Sequence, residues 1–147
     1  MLFDQNDNLW IGTQIGLYKV QSVQSGMIDC RNSSIQYFTN VPLNPESISG
    51  NYIISMCADK HGNIWFGTYG NGLNLLKKEY TKNNEPRFIN YTEADGMCNN
   101  IVFGILEDNS DNLWLSTDNG LSRFNVENKI FKNYYTGDGL QSNQFYW

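Results

Sequence analysis

Three acidic stretches hold the oxygen-rich side chains that could do chemistry: DQNDN (Asp4 to Asn8), DKHGN (Asp59 to Asn63) and DNSDN (Asp108 to Asn112). A calcium loop of the helix-loop-helix kind needs converging oxygens and a Glu at its twelfth position. That Glu is missing, and the same composition returning three times fits a repeated hairpin turn better than an ion site, so no metal and no cofactor is expected. Asp118 and Glu93 carry the acid-base chemistry of glycoside hydrolysis, but such a pair must converge on one bond and no spacing brings these two together. The sole histidine, His61, lies inside one of the acidic turns, which leaves a serine triad without a base. Cys30, Cys57 and Cys98 fit neither a paired disulfide framework nor a CxxC metal pattern. No catalytic residue is expected, and the chain itself is not read as an enzyme.

Binding chemistry is better supplied. Sugars are held by an aromatic face under the ring's C–H groups and by planar amides or carboxylates on its hydroxyls. Gln14, Tyr69, Asn71, Asp118 and Asn119 offer those groups and form the candidate ligand-binding set. Asn, Asp and Gly are also the ordinary residues of turns, so the same positions have a purely structural reading.

The elements that would carry these residues repeat. Trp10, Trp65 and Trp114 each follow an Asn and an apolar residue and stand six positions after an Asp (Asp4, Asp59, Asp108). A small residue lies two positions after each Trp and a Thr three after: Gly12 and Thr13, Gly67 and Thr68, Ser116 and Thr117. A Gly-Leu pair closes each unit, at Gly16, Gly72 and Gly120. The resulting repeats are 1–55, 56–104 and 105–147. Each reads as four short strands: NYIISMCAD, NIWFGT, GLNLL and FINYT in the second unit. The segment from Gln21 to Arg31 is the variable insertion of the first unit.

Four antiparallel strands per unit, with one Trp and paired glycines, is the pattern of a propeller blade. A four-stranded twisted sheet has two apolar faces and buries them only by stacking on neighbours. The fold expected is therefore all-β, a β-propeller fragment of three four-stranded antiparallel blades. The indoles of Trp10, Trp65 and Trp114 are expected in the core between blades, and Trp147 at an interface or a neighbouring blade. The loops between second and third strands, and between the fourth strand and the next first strand, should gather at one end and hold the ligand set.

Composition is consistent with a packed domain: 147 residues, 40% hydrophobic and 14% aromatic, enough to build a core. A net charge of −5 with the basic residues dispersed argues against nucleic acid as a partner. No apolar run is long enough to span a bilayer, so no membrane contact is expected of this segment.

DKHGNIWFGTYGNGLNLL and FKNYYTGDGLQSNQF resemble the two-component regulator propeller repeats, and the resemblance extends over essentially the whole chain. It implies the extracytoplasmic sensor region of a hybrid two-component regulator, a periplasmic location, and inputs that are often oligosaccharides from polysaccharide breakdown. Family members carry many such blades ahead of an immunoglobulin-like segment, a membrane helix, a kinase and a response regulator. The competing expectations are a protein-protein interaction scaffold and a polysaccharide lyase or hydrolase propeller fragment. NQFYW at the end of the chain reads as the first half of a strand and MLFD at its start as the second half. Two copies sharing strands would complete six blades, so the expected partner is a second copy, as a homodimer, or else the remainder of a parent chain.

Overall fold

The structure, a computed structural model, describes residues 1–21, 34–81 and 86–145. Its strands form three four-stranded antiparallel sheets in simple sequence order. Blade 1 holds β1 (Leu2–Phe3), β2 (Leu9–Gly12), β3 (Leu17–Val20) and β4 (Ile35–Phe38). Blade 2 holds β5 (Ile53–Ala58), β6 (Ile64–Thr68), β7 (Leu73–Leu76) and β8 (Phe88–Tyr91). Blade 3 holds β9 (Val102–Glu107), β10 (Asn112–Thr117), β11 (Gly120–Asn125) and β12 (Ile130–Tyr134). Only single turns of 3-10 helix interrupt this all-β plan among the described residues. The variable stretch around Cys30 and the terminal Trp147 lie outside the described residues.

The turn between the first two strands of every blade is built by one carboxylate. In blade 2, Asp59 Oδ1 accepts the backbone N–H groups of His61 (3.0 Å) and Asn63 (2.9 Å), while Oδ2 accepts Asn63 Nδ2 (2.8 Å) and Trp65 Nε1 (2.9 Å). Asp4 does the same for Asn6, Asn8 and Trp10, and Asp108 for Ser110, Asn112 and Trp114. These bonds account for the spacing seen in the sequence, because the donors sit two, four and six residues after the acceptor. The turns also need a left-handed residue, which Gly62 supplies in blade 2 and Asp7 and Asp111 supply at φ 59° and 60°.

Side-chain alternation gives each sheet an indole face and an opposite face. The indole face of blade 1 meets the opposite face of blade 2, where Trp10 lies 5.7 Å from the Phe66 ring. Ile48, Ile53, Ile64, Leu76 and Phe88 fill the rest of that interface. Blade 2 repeats the arrangement on blade 3, with Trp65 edge-on to Phe124 at 5.9 Å among Leu73, Met97, Val102 and Leu115. Trp10 and Trp65 are fully buried. Radial stacking explains the small residue after each Trp: a Cβ on Gly67 would come within 2.1 Å of Ser55 Oγ and 2.7 Å of the Val102 carbonyl.

Trp114 departs from the core role expected of all three indoles. It bonds Asp108 as its counterparts do, but it is only partly buried, because among the described residues no further sheet stacks on the indole face of blade 3. It stacks instead on Tyr134 of its own sheet, at 5.6 Å, with the Arg123 guanidinium 6.0 Å above the ring. Lys19, at the equivalent of Arg123, is buried over Trp10 and donates through Nζ to the Thr81 carbonyl of blade 2. Burial pushes the pKa of Lys19 down, against the attraction of Asp4.

Two outcomes follow. Trp65→Ala should lower stability by about 3–5 kcal/mol in urea denaturation, and Trp114→Ala by clearly less, because only the first empties a closed interface. Bonds from Asn112 and Trp114 hold the Asp108 carboxyl well below the usual carboxylate range. Its contribution is therefore full above about pH 4 and is lost as pH falls through the lower folded-state value. Urea midpoints measured from pH 7 down to pH 3 should fall, and Asp108→Asn should flatten that slope.

Candidate functional site

The loop after each second strand is closed by its threonine. Thr13, Thr68 and Thr117 donate through Oγ1 to the carbonyls of Gly16, Gly72 and Gly120, each at 2.8 Å, and accept N–H groups of the loop in return. Gly72 needs to be glycine: its φ is 81° and a Cβ would meet the Tyr91 carbonyl at 2.2 Å.

The loops from fourth strand to next first strand are clamped by an asparagine side chain. Asn51, Asn100 and Asn143 accept through Oδ1 the backbone N–H groups of Asn40 (2.7 Å), Glu93 (2.9 Å) and Thr136 (2.7 Å). Glu93 completes its clamp by accepting Asn100 N–H at 3.0 Å. That engages its carboxylate in loop structure.

The two kinds of loop meet at one end of the stack. Gly70 and Gly72 donate their N–H groups to the Asn100 carbonyl, and Ser49 Oγ donates to the Asn71 carbonyl at 2.7 Å. Gln14 and Tyr69 are joined here through Tyr52: Gln14 Nε2 lies 3.3 Å from Tyr52 Oη, and the Tyr52 and Tyr69 rings stack at 5.3 Å and 26°. Both tyrosines keep exposed ring surface, 37% and 51%. Asn71 faces a different space, a cleft of about 570 Å³. Its other walls are the Val41–Pro45 segment, Asn90 and Asn100. Asp118 and Asn119 stand on the equivalent loop of blade 3 and do not line that cleft. The candidate set is thus divided among the loops of three blades at one end, and of its members Asn71 alone lines that cleft.

Sequence reading missed three contributors here. Tyr52 follows the clamping Asn51, and its counterpart in blade 3 is Ile101, so only comparison of repeats at that position could have raised it. Asn90 alternates with apolar residues inside a strand and looked like a sheet position. The Val41–Pro45 segment, VPLNP, stands where the other two blades have an Asp-Gly turn, and its two prolines were the available signal.

The opposite end, among the described residues, holds a smaller cleft of about 330 Å³ lined by Asp59, His61, Glu107 and Asp111. There Lys60 Nζ (2.6 Å) and His61 Nε2 (3.1 Å) converge on Asp111 Oδ1, and Lys60 N–H reaches Glu107 Oε2, tying the acidic turns of blades 2 and 3 together. The Lys60 bond draws Asp111 below the usual carboxylate range and raises Lys60. No group of three His, Cys, Asp or Glu among the described residues is placed to hold a metal ion.

The family model described as two component regulator propeller matches residues 47–70 and 96–119, each spanning a clamped loop, a first strand, the acidic turn and the tryptophan strand. Over those residues the chain is similar to two-component regulator propeller repeats. A curated relative, histidine kinase P4 of Formosa agariphila, is 32% identical over 145 residues, which is 99% of this chain and 10% of that protein. Two solved structures share the fold. One is the extracellular domain of a putative hybrid two component system from B. thetaiotaomicron, with TM-score 0.72 and 23% identity over 97% of this chain and 18% of that one. The other is PorZ, a surface component of the type-IX secretion system of Porphyromonas gingivalis, with TM-score 0.76 and 17% identity over 98% of this chain and 22% of that one. The chain thus spans about a tenth of the curated relative and about a fifth of each solved chain.

The asparagine clamp carries an expected outcome. Asn100→Ala should speed amide hydrogen exchange at Glu93 and cost about 1 kcal/mol, the range of one net hydrogen bond, while Trp65 fluorescence stays native.

Proposed function

We propose that this chain is a ligand-sensing section of a hybrid two-component regulator, placed outside the cytoplasm and reading oligosaccharides released by polysaccharide breakdown. The observation that carries this reading is the loop end, where an exposed stacked tyrosine pair stands on the same loops as an amide-lined cleft. Aromatic faces suit the C–H side of a pyranose, and neutral amides suit its hydroxyls. The repeats and the histidine kinase relative supply the signalling context. The mechanism would be mechanical. Loops of blades 1 and 2 both line the cleft, so an occupant bridges two sheets and biases their relative packing, which elements beyond these blades would transmit.

A second reading, an interaction scaffold, is favoured by the outer sheet faces. Phe3 and Ile35 of blade 1 and Leu106 of blade 3 are 59%, 63% and 68% exposed, more apolar surface than a sugar site requires.

Titration calorimetry with a panel of oligosaccharides separates the two. Saturable binding that weakens about tenfold or more in Tyr69→Ala, with an unchanged circular dichroism spectrum, is the expected result. Heats at the dilution baseline for every sugar, from a folded chain, would remove the sensor reading and leave the scaffold.

A further inference from the structure

The cleft beside Asn71 is lined by two features that cost stability. The first is Asn90. In blade 3 the matching residue, Asn133, donates through Nδ2 to the Gly96 carbonyl (2.9 Å), and its Oδ1 accepts Ser122 Oγ (2.7 Å). In blade 2, Asn90 Nδ2 likewise donates to the loop of the preceding blade, at the carbonyls of Pro45 (3.3 Å) and Ser47 (3.2 Å). The residue matching Ser122 is Asn74, which turns away to accept Ser49 N–H (2.7 Å) and donate to Ser49 Oγ (2.8 Å). Asn90 Oδ1 is left buried without a partner. Flipping the amide does not help, because it would set the oxygen against two carbonyls. A buried acceptor in that state costs about 1–3 kcal/mol.

The second feature is Leu43. Asn44 N–H bonds the Val41 carbonyl at 3.0 Å and closes a turn with Pro42 second and Leu43 third. Leu43 takes φ 68°, where such a turn ordinarily places glycine or asparagine, and its side chain is entirely exposed. The turn is no accident of looseness. Ser47 Oγ braces the carbonyls of Val41 and Asn44, and Asn44 Oδ1 accepts Glu46 N–H at 3.1 Å. A leucine held left-handed and fully in water contributes nothing to the fold that glycine would not contribute at lower cost.

We propose that the Val41–Pro45 turn is a preformed lip over a carbohydrate subsite. Leu43 and Val41 cover the apolar face of a pyranose, and Asn90 Oδ1 accepts a ligand hydroxyl. This rests on the oligosaccharide-sensor reading and adds to it the subsite and its specificity residue, Leu43. The Asn90 oxygen is buried and its amide is held by the Pro45 and Ser47 carbonyls of this loop, so a hydroxyl reaches it only as the loop shifts. Ligand entry is thereby tied to a movement of blade 1's loop against blade 2. A ligand with no free hydroxyl at that point leaves the acceptor unmet and binds less well.

The test is a two-dimensional NMR titration of the full chain with pyranose oligosaccharides of two to six units, following the methyl groups of Val41 and Leu43, the Asn90 side-chain amide and the rings of Tyr52 and Tyr69. It is paired with calorimetry on Leu43→Gly. The expected result is saturable shifts at Leu43 and Asn90, and a Leu43→Gly chain that melts no lower than the parent yet binds about tenfold more weakly. Shifts confined to Tyr52 and Tyr69, or a Leu43→Gly chain with parental affinity, would overturn the lip while leaving the sensor reading in place. Absence of any saturable shift would overturn both.

Discussion

One carboxylate per blade sets the shape of everything else. Asp4, Asp59 and Asp108 each gather two turn amides, an asparagine side chain and an indole N–H, so the turn that starts a blade and the wedge that seats the blade are fixed by the same group. The indole has a polar atom that must be satisfied when buried, and its ring must lie flat in an apolar interface. Meeting both demands with a local acceptor frees the neighbouring blade from offering any polar partner. The opposite face can then be wholly apolar at that spot, as Phe66 and Phe124 are.

This arrangement makes the two ends of the stack different in kind. At the turn end, the three blade-opening carboxylates are consumed by donors close in sequence, and Asp111 and Glu107 accept from the adjacent turn. At the loop end the threonine and asparagine clamps close each loop on itself. The side chains standing outside the clamps, Gln14, Tyr52, Tyr69 and Asn71, remain at the surface. Variation between blades at the loop end therefore changes what can be bound without disturbing the sheets.

The same division explains what the sequence made legible. Trp, Asp, Asn, Thr and Gly recur at fixed intervals because each answers a local geometric demand, and the three sheets and their strand order follow from them. Trp114 is less buried than Trp65 because burial is not a property of the repeat but of the adjacent sheet, and its own spacing is the same as that of Trp65. Tyr52 and Asn90 were hidden for a related reason. Their roles arise from a loop of one blade meeting a strand of another, and no spacing within one repeat encodes that meeting. Gln14 and Tyr69 lie on loops at one end, and their link through Tyr52 could be seen only in three dimensions.

The closed bonding of each acidic turn has an evolutionary corollary. Since the carboxylate and the donors it gathers lie within seven consecutive residues, a copied unit carries this set of bonds with it. Genes built from such units can lengthen or shorten by unequal recombination and still encode a chain that folds. Selection can then act on the exposed loops of each new copy separately.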